Sequence, residues 1–135
     1  MPAEGIDTIK KQLISTVDEY GTEPFLGSRQ ITDYNEENKP VFGKYNFKNY
    51  NEIFNDIVNL AKTFNAMKLY SEVLYNKKRH KLIGVYAKNC EGWVLTDFAC
   101  SFSGLVTVTL YDTLGGDSSE FIIQQAELKT IVLTR

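Results

Sequence analysis

From residue 82 onward the chain alternates between two kinds of apolar pattern, and this alternation restricts the fold more than any other feature of the sequence. Leu82-Ile83-Gly84-Val85-Tyr86-Ala87 is a short, mostly apolar run suited to a strand. Residues 90–103 set Leu95, Phe98, Ala99 and Phe102 on one side of a helix. A Val- and Thr-rich run at 105–111 reads as a second strand, residues 118–126 as a short helix opened by Asp117-Ser118-Ser119-Glu120, and residues 130–134 as a third strand. A β-α-β-α-β order with short links predicts parallel strands joined by right-handed crossovers. Apolar strands without strict alternation suit a sheet covered on both faces. The expected fold class is α/β. Three parallel strands leave an unprotected edge, so residues 82–135 read as the start of a larger, incomplete domain.

Upstream, Ile6, Ile9, Leu13, Val17 and Tyr20 recur in steps of three and four, which predicts an amphipathic helix ended by Gly21. Its polar side mixes Asp7, Lys10, Lys11, Asp18 and Glu19, without the basic bias of a membrane-surface helix. Packing on the rest of the protein is the expectation. Runs at 29–33 and 41–47 flank a Tyr34–Pro40 turn and predict a loose hairpin. Asn49-Tyr50-Asn51-Glu52 is a capping-box signature, and Ile53, Phe54, Ile57, Val58, Ala61 and Phe64 carry one broad apolar helical face after it. Residues 71–80 read as a solvated polar loop, with Lys77-Lys78-Arg79-His80 as a surface cluster rather than a phosphate site or targeting address.

Composition excludes several roles. The 135 residues are 43% hydrophobic and 24% charged, an ordinary globular balance. A formal net charge of -2 lacks the cationic surplus of a dedicated nucleic-acid binder. No apolar run reaches the ~18 residues of a membrane span, and the first residues lack the order of a secretion signal. Cys90 and Cys100 fall in one expected helix, where ten residues rise about 15 Å, too far for a disulfide. Both are expected as reduced, small core residues, consistent with a cytosolic setting. His80 is the one histidine, and no metal-site spacing is present.

The stretch 84–116 carries a family resemblance. Asn89, Trp93, Ala99, Cys100 and the run Leu110-Tyr111-Asp112-Thr113-Leu114-Gly115 resemble long-chain fatty acyl-CoA synthetases, a branch of the adenylate-forming enzymes. Phe25-Leu26-Gly27-Ser28-Arg29 is similar to that family's Leu-Gly-x-Arg, and the strand and helix at 44–64 match in position. Two departures are visible: Glu91-Gly92 precede Trp93 where the family has Glu next to Trp, and Thr109 stands in place of a Pro.

Periodicity assigns residues 1–22 to the N-terminal amphipathic helix, and the resemblance, which covers residues 23–135, implies that they are the first part of the large N-terminal AMP-binding domain. For the parent it implies ATP, magnesium and coenzyme A, with a fatty acid activated as acyl-adenylate and passed to the CoA thiol. The family's Thr-Ser-Gly-Thr-Thr-Gly-x-Pro-Lys-Gly phosphate loop, its Thr-Gly-Asp motif and its C-terminal lysine do not occur here, so the catalytic residues are expected beyond Arg135. The fragment alone is expected to be inactive and to carry no cofactor. Its expected partner is the remainder of the polypeptide, placed in the cytoplasm or on the cytosolic face of a membrane. The resemblance leaves room for membrane association of the parent.

Tyr111 and Asp112 follow the second parallel strand, at the end where open α/β sheets place ligands, and are the candidate substrate-lining residues. The alternative for Asp112 is to cap a turn. Leu114-Gly115-Gly116-Asp117-Ser118-Ser119 is the nearest Gly/Ser run; it lacks Lys, contains an acid, and reads as a strand-to-helix turn whose backbone N–H groups could face an anion. Trp93 reads as a packing residue, with a substrate gate as the alternative. Asp97 has no histidine or second carboxylate spaced to pair with it. Two other functions fit the pattern: an adenylate-forming ligase for an aromatic or short acid, and a free-standing α/β interaction module.

Overall fold

The computed structural model describes residues 4–111, 113 and 115–133. Asp112 and the last strand residue expected from sequence, Thr134, lie outside the described residues. Helix α1 (Ile9–Tyr20) begins where the Thr8 hydroxyl accepts a hydrogen bond from the Lys11 N–H, 3.2 Å away, and it buries Leu13. Gly21 follows it in a right-handed conformation, φ -46°. Space is what makes Gly21 necessary: a Cβ there would lie 2.7 Å from Asn51 Nδ2 and 2.8 Å from the Val17 carbonyl.

The loose hairpin is longer than expected. Strands β1 (Pro24–Tyr34) and β2 (Pro40–Asn49) form a two-stranded antiparallel sheet of their own. Arg29 clamps it: Nε donates to the Gly43 carbonyl at 2.8 Å, NH2 donates to the Phe42 carbonyl at 2.9 Å, and the guanidinium lies over the Phe42 and Tyr45 rings. Helix α2 (Tyr50–Ala66) opens with the reciprocal cap that its sequence predicts. The Glu52 N–H donates to Asn49 Oδ1 at 2.9 Å, and the Asn49 N–H donates to Glu52 Oε2 at 2.7 Å.

Residues 71–80 are not a loop. Strand β3 (Ser71–Tyr75) pairs antiparallel with the start of β4 (Lys78–Tyr86). Asn76 (φ 48°) and Lys77 (φ 63°) are both left-handed, the conformation that lets a two-residue turn match the twist of its strands. The remaining elements are α3 (Glu91–Ser103), β5 (Val106–Leu110), α4 (Gly116–Gln125) and β6 (Ile131–Leu133). Helix α4 starts earlier than the sequence suggests. Its N-cap is Gly115, with no side-chain cap, and Asp117 falls inside the first turn.

As expected, β4, β5 and β6 are parallel, with β4 between the other two. Gly84 pairs with Val108 of β5 on one side and Ile131 of β6 on the other. Since β5 covers one edge of β4 from Leu82 to Tyr86, β3 and β6 share the opposite edge end to end: β3 sits against Lys78–Leu82 and β6 against Gly84–Tyr86.

Ile83 points to the main core, which joins Leu13 of α1, Ile53, Ile57, Ala61 and Phe64 of α2, and Ala99 and Cys100 of α3. Gly84 faces the other way. A Cβ on it would lie 3.0 Å from Leu128 Cδ1 and from Ile131 Cγ1, so α4 and its exit loop cover that second face. The cover is thin: α4 buries no residue, and Phe121, Tyr86 and Leu133 remain exposed. Helix α3 also carries an apolar face. That face is covered, because Leu95, Phe98 and Phe102 pack against the core and Trp93 is half-buried. Ile131 is half-buried too, so exposure falls on Leu133.

Candidate functional site

Because β4, β5 and β6 run in one direction, Tyr86, Leu110 and Leu133 end at the same edge of the sheet, and α4 begins beside them. These ends enclose an open cleft of about 410 Å³, lined by Tyr86, Leu110, Gly115, Gly116, Ser119, Ile123, Ile131 and Leu133. The wall is apolar apart from the Tyr86 and Ser119 hydroxyls and the glycine backbone. Gly115 and Gly116 face open space, with no atom within 4 Å of where a Cβ would stand. Their N–H groups, at the positive end of α4, are the cleft's electropositive feature; exposed Asp117 in the same turn offsets it.

Of the two residues singled out from sequence, Tyr111 is 61% exposed immediately after β5 and is not among the cleft's lining residues. Asp112 lies outside the described residues. The cleft residues that sequence reasoning did not single out, Tyr86, Ile123, Ile131 and Leu133, come from β4, α4 and β6.

Among the described residues, the lining of the cleft offers the Tyr86 and Ser119 hydroxyls and no carboxylate, imidazole, thiol or ammonium group. Asp97 lies elsewhere, half-buried in a groove of about 330 Å³ between α1 and α3, beside the stacked Phe25 and Tyr50 rings. Among the described residues, no histidine or second carboxylate lines that groove. Among the described residues no group of three His, Cys, Asp or Glu could hold a metal ion. The cysteines divide. Cys100 is buried, and burial pushes its thiol up to about 11 despite a hydrogen bond with Thr107. Cys90 is exposed as the N-cap of α3, contrary to the expectation of two core thiols.

One electrostatic junction holds the frame of the site. Lys48 Nζ donates to Glu91 Oε1 at 2.6 Å and to Asp56 Oδ2 at 3.3 Å, tying β2 to the first turn of α3 and to α2. The bond to Glu91 is the main reason the Lys48 ammonium holds its proton more tightly than usual. Glu91, displaced by one place from the family's pattern, thus serves as a strut.

Comparison with known proteins decides the affiliation. The family described as AMP-binding enzyme matches residues 29–135. The chain belongs to the AMP-binding enzyme family. Its relatives within that family include Long chain acyl-CoA synthetase 4 of Arabidopsis thaliana, 32% identical over 130 residues, which cover 96% of this chain and 17% of the relative. Another is Long-chain-fatty-acid--CoA ligase 5 of Rattus norvegicus, 33% identical over 58 residues, covering 43% of this chain and 8% of the relative. The chain thus spans about a sixth of the length of the Arabidopsis relative.

Among solved structures, the adenylation domain of a carboxylate reductase from Mycobacterium chelonae superposes with a TM-score of 0.74 at 16% identity, covering 97% of this chain and 20% of that one. The A domain of a carboxylic acid reductase from Segniliparus rugosus, in complex with AMP and a co-purified carboxylic acid, gives 0.70 at 16% identity, covering 92% and 20%. At such identities the likeness is one of fold: this chain has the architecture of part of an adenylation domain. Among the described residues no helix is long and apolar enough to cross a membrane.

Proposed function

We propose that this chain is the first part of the adenylate-forming domain of a long-chain fatty acid–CoA ligase. In the whole polypeptide, a fatty acid carboxylate attacks the α-phosphorus of ATP, giving acyl-adenylate and pyrophosphate. The coenzyme A thiol then attacks the acyl carbon, its proton passes to solvent, and AMP leaves. The observation that carries this reading is the 32% identity to the Arabidopsis synthetase across 96% of the chain.

The described residues of this chain do not fit the phosphates or magnesium. Among the described residues, the lining of the cleft contains no Lys or Arg and no cluster that could hold a metal ion exists. The proposal therefore assigns those groups and the chemical steps to the rest of the polypeptide. This chain contributes a sheet edge, and in this reading Tyr111 and Asp112, which follow β5 in the sequence, line the bound substrate. Residues 1–22 belong to the proposal as an appended helix, and residues 23–135 as the start of the domain; α1 is joined to it through buried Leu13. The proposed location is the cytoplasm or the cytosolic face of a membrane.

A second reading is an adenylate-forming ligase for another acid, favoured by the likeness to carboxylate reductase adenylation domains. Exchange of labelled pyrophosphate into ATP distinguishes the two. With the whole polypeptide, palmitate should stimulate exchange and cinnamate or acetate should not; the opposite order establishes the second reading. The 135-residue chain alone should give none. Exchange by the short chain above a heat-killed control would disprove the assignment of the chemistry to the rest of the polypeptide. In the whole enzyme, Tyr111→Ala should raise KM for the fatty acid severalfold, and an unchanged KM would remove Tyr111 from the site.

A further inference from the structure

The β3–β4 hairpin has a property that the adenylation reading does not use. Lys78 to Lys81 pair with β3 alone, because β5 begins its pairing at Leu82 and β6 at Gly84. The hairpin therefore projects beyond the sheet at the amino end of the parallel strands. The carboxyl-end cleft lies at the other end of β4, roughly 26 Å away at ~3.3 Å per residue.

Its tip is amphiphilic. Leu74 is 71% exposed and Tyr75 67% exposed, and they immediately precede the left-handed Asn76-Lys77 turn, paired across it with Arg79 and Lys78. Lys77, Lys78, Arg79 and Lys81 stand around them, with Glu72 the one acidic residue of the hairpin. Glu72 meets Arg79 at 3.4 Å, and Lys81 lies over the Tyr70 ring. Lys77 and Lys78 make no such contact. In a chain of net charge -2, this concentrates cations at one projecting point beside two large apolar side chains turned to water.

We propose that the β3–β4 hairpin tip docks onto an anionic lipid surface. Leu74 and Tyr75 enter the headgroup region, and Lys77, Lys78 and Arg79 meet the lipid phosphates. Charge complementarity and the exposed apolar pair favour this occupant over a nucleic acid, which offers no apolar phase to Leu74. Docking in this way points the cleft away from the bilayer surface.

The test uses the whole polypeptide and sedimentation with two vesicle preparations, phosphatidylcholine alone and phosphatidylcholine mixed with phosphatidylserine. Binding to the mixed vesicles should exceed binding to neutral ones and should weaken as salt shortens the screening length. Each basic residue near such a surface contributes about fivefold, so Lys78→Glu with Arg79→Glu should cut partitioning by ~25-fold or more. Leu74→Ser with Tyr75→Ser should cut binding while leaving its salt dependence. Tyr75→Trp should show a blue-shifted emission only with mixed vesicles. All these positions are exposed, and matching melting curves will confirm that the variants fold. Equal binding by the charge-reversed variant, equal binding to neutral vesicles, or no vesicle binding overturns the proposal. Retention on RNA that the charge reversal abolishes, with no vesicle binding, reassigns the tip to nucleic acid.

Discussion

The backbone N–H of Lys129 donates a 2.8 Å hydrogen bond to Oγ of Ser71, a side chain 1% exposed. The bond splices two strands that run in opposite senses: Ser71 opens antiparallel β3, and Lys129 leads into parallel β6 on the same edge of β4. At such a junction neither strand can offer the other a regular ladder partner, so a buried hydroxyl supplies the acceptor. Ser71→Ala should leave the Lys129 N–H unsatisfied and destabilise the chain by about 1–3 kcal/mol. Urea denaturation checks the size, and amide exchange at Lys129 should accelerate selectively. An unchanged midpoint would mean that water replaces the hydroxyl.

Gly84 and Gly104 should respond to substitution for different reasons. A Cβ at Gly84 would press within 3.0 Å of Leu128 and Ile131, so Gly84→Ala should cost about 1–3 kcal/mol by overpacking. Gly104 has open space but a left-handed φ of 68° at the end of α3. There Gly104→Ala should cost about 1 kcal/mol, and Gly104→Asn less, because Asn tolerates that conformation. Thermal melts of the three variants test the ranking.

The two thiols should differ sharply in reactivity. The thiolate is the reactive form, and Cys100, buried and held near 11, presents almost none at neutral pH. Iodoacetamide should modify one thiol in the native chain, identified by mass spectrometry as Cys90, and the second only in denaturant. Labelling of Cys100 under native conditions would show that the α2–α3 core opens readily.

Stability should depend on Lys48 in a pH-defined way. Its folded-state pKa is raised above the ordinary 10.5, chiefly by Glu91. The contribution is fully present below 10.5 and is lost as pH rises through the higher folded value. The side chain is 44% exposed, so screening holds the effect to roughly 0.2–1 kcal/mol. The stability gap between the parent and Lys48→Met should be constant from neutral pH to mild alkali, shrink above 10.5, and narrow with added salt. A gap that widens with pH would mean that the methionine fails for packing reasons.

The isolated chain should also show its thin second face. Leu133 is 66% exposed, Phe121 63% and Val106 46%. Each such side chain forgoes part of the roughly 1.5–3 kcal/mol that full burial contributes. The 135-residue chain should bind a hydrophobic dye or self-associate in light scattering, and a polypeptide extended through the rest of the domain should do neither. Equal, clean behaviour of both would favour the free-standing module.

The parts of the fold legible in the sequence are those whose signal is local. Asn49 and Glu52 announce the start of α2 because both halves of the cap lie within one turn. The strands at 82–87 and 105–111 are legible because each is a short run rich in β-branched and aliphatic residues between turn signals. The β3–β4 hairpin is hidden by the same rule. Beyond the sheet both its faces meet water, so Glu72, Lys78, Arg79 and Lys81 blur any alternation, and its turn uses Lys77 where Gly would have given a signal. At α4, Asp117 mimics a cap, but Gly115 takes that place. Of the cleft, the end of β5 and the Gly115-Gly116 turn are readable, whereas Tyr86, Ile123, Ile131 and Leu133 meet through topology alone.

The shared edge of β4 has a consequence for the order in which the chain assembles. Its amino half closes against β3 through a two-residue turn, a local event on the microsecond scale of hairpins. Its carboxyl half waits for β6, which arrives only after α3, β5 and α4 have been laid down. Closing so long a loop is entropically late. During synthesis, the backbone of Gly84, Val85 and Tyr86 therefore stays open on that side until the chain has been made past Leu133. A ribosome pausing before that point would hold out a half-zipped strand, the segment of this nascent protein most in need of a chaperone.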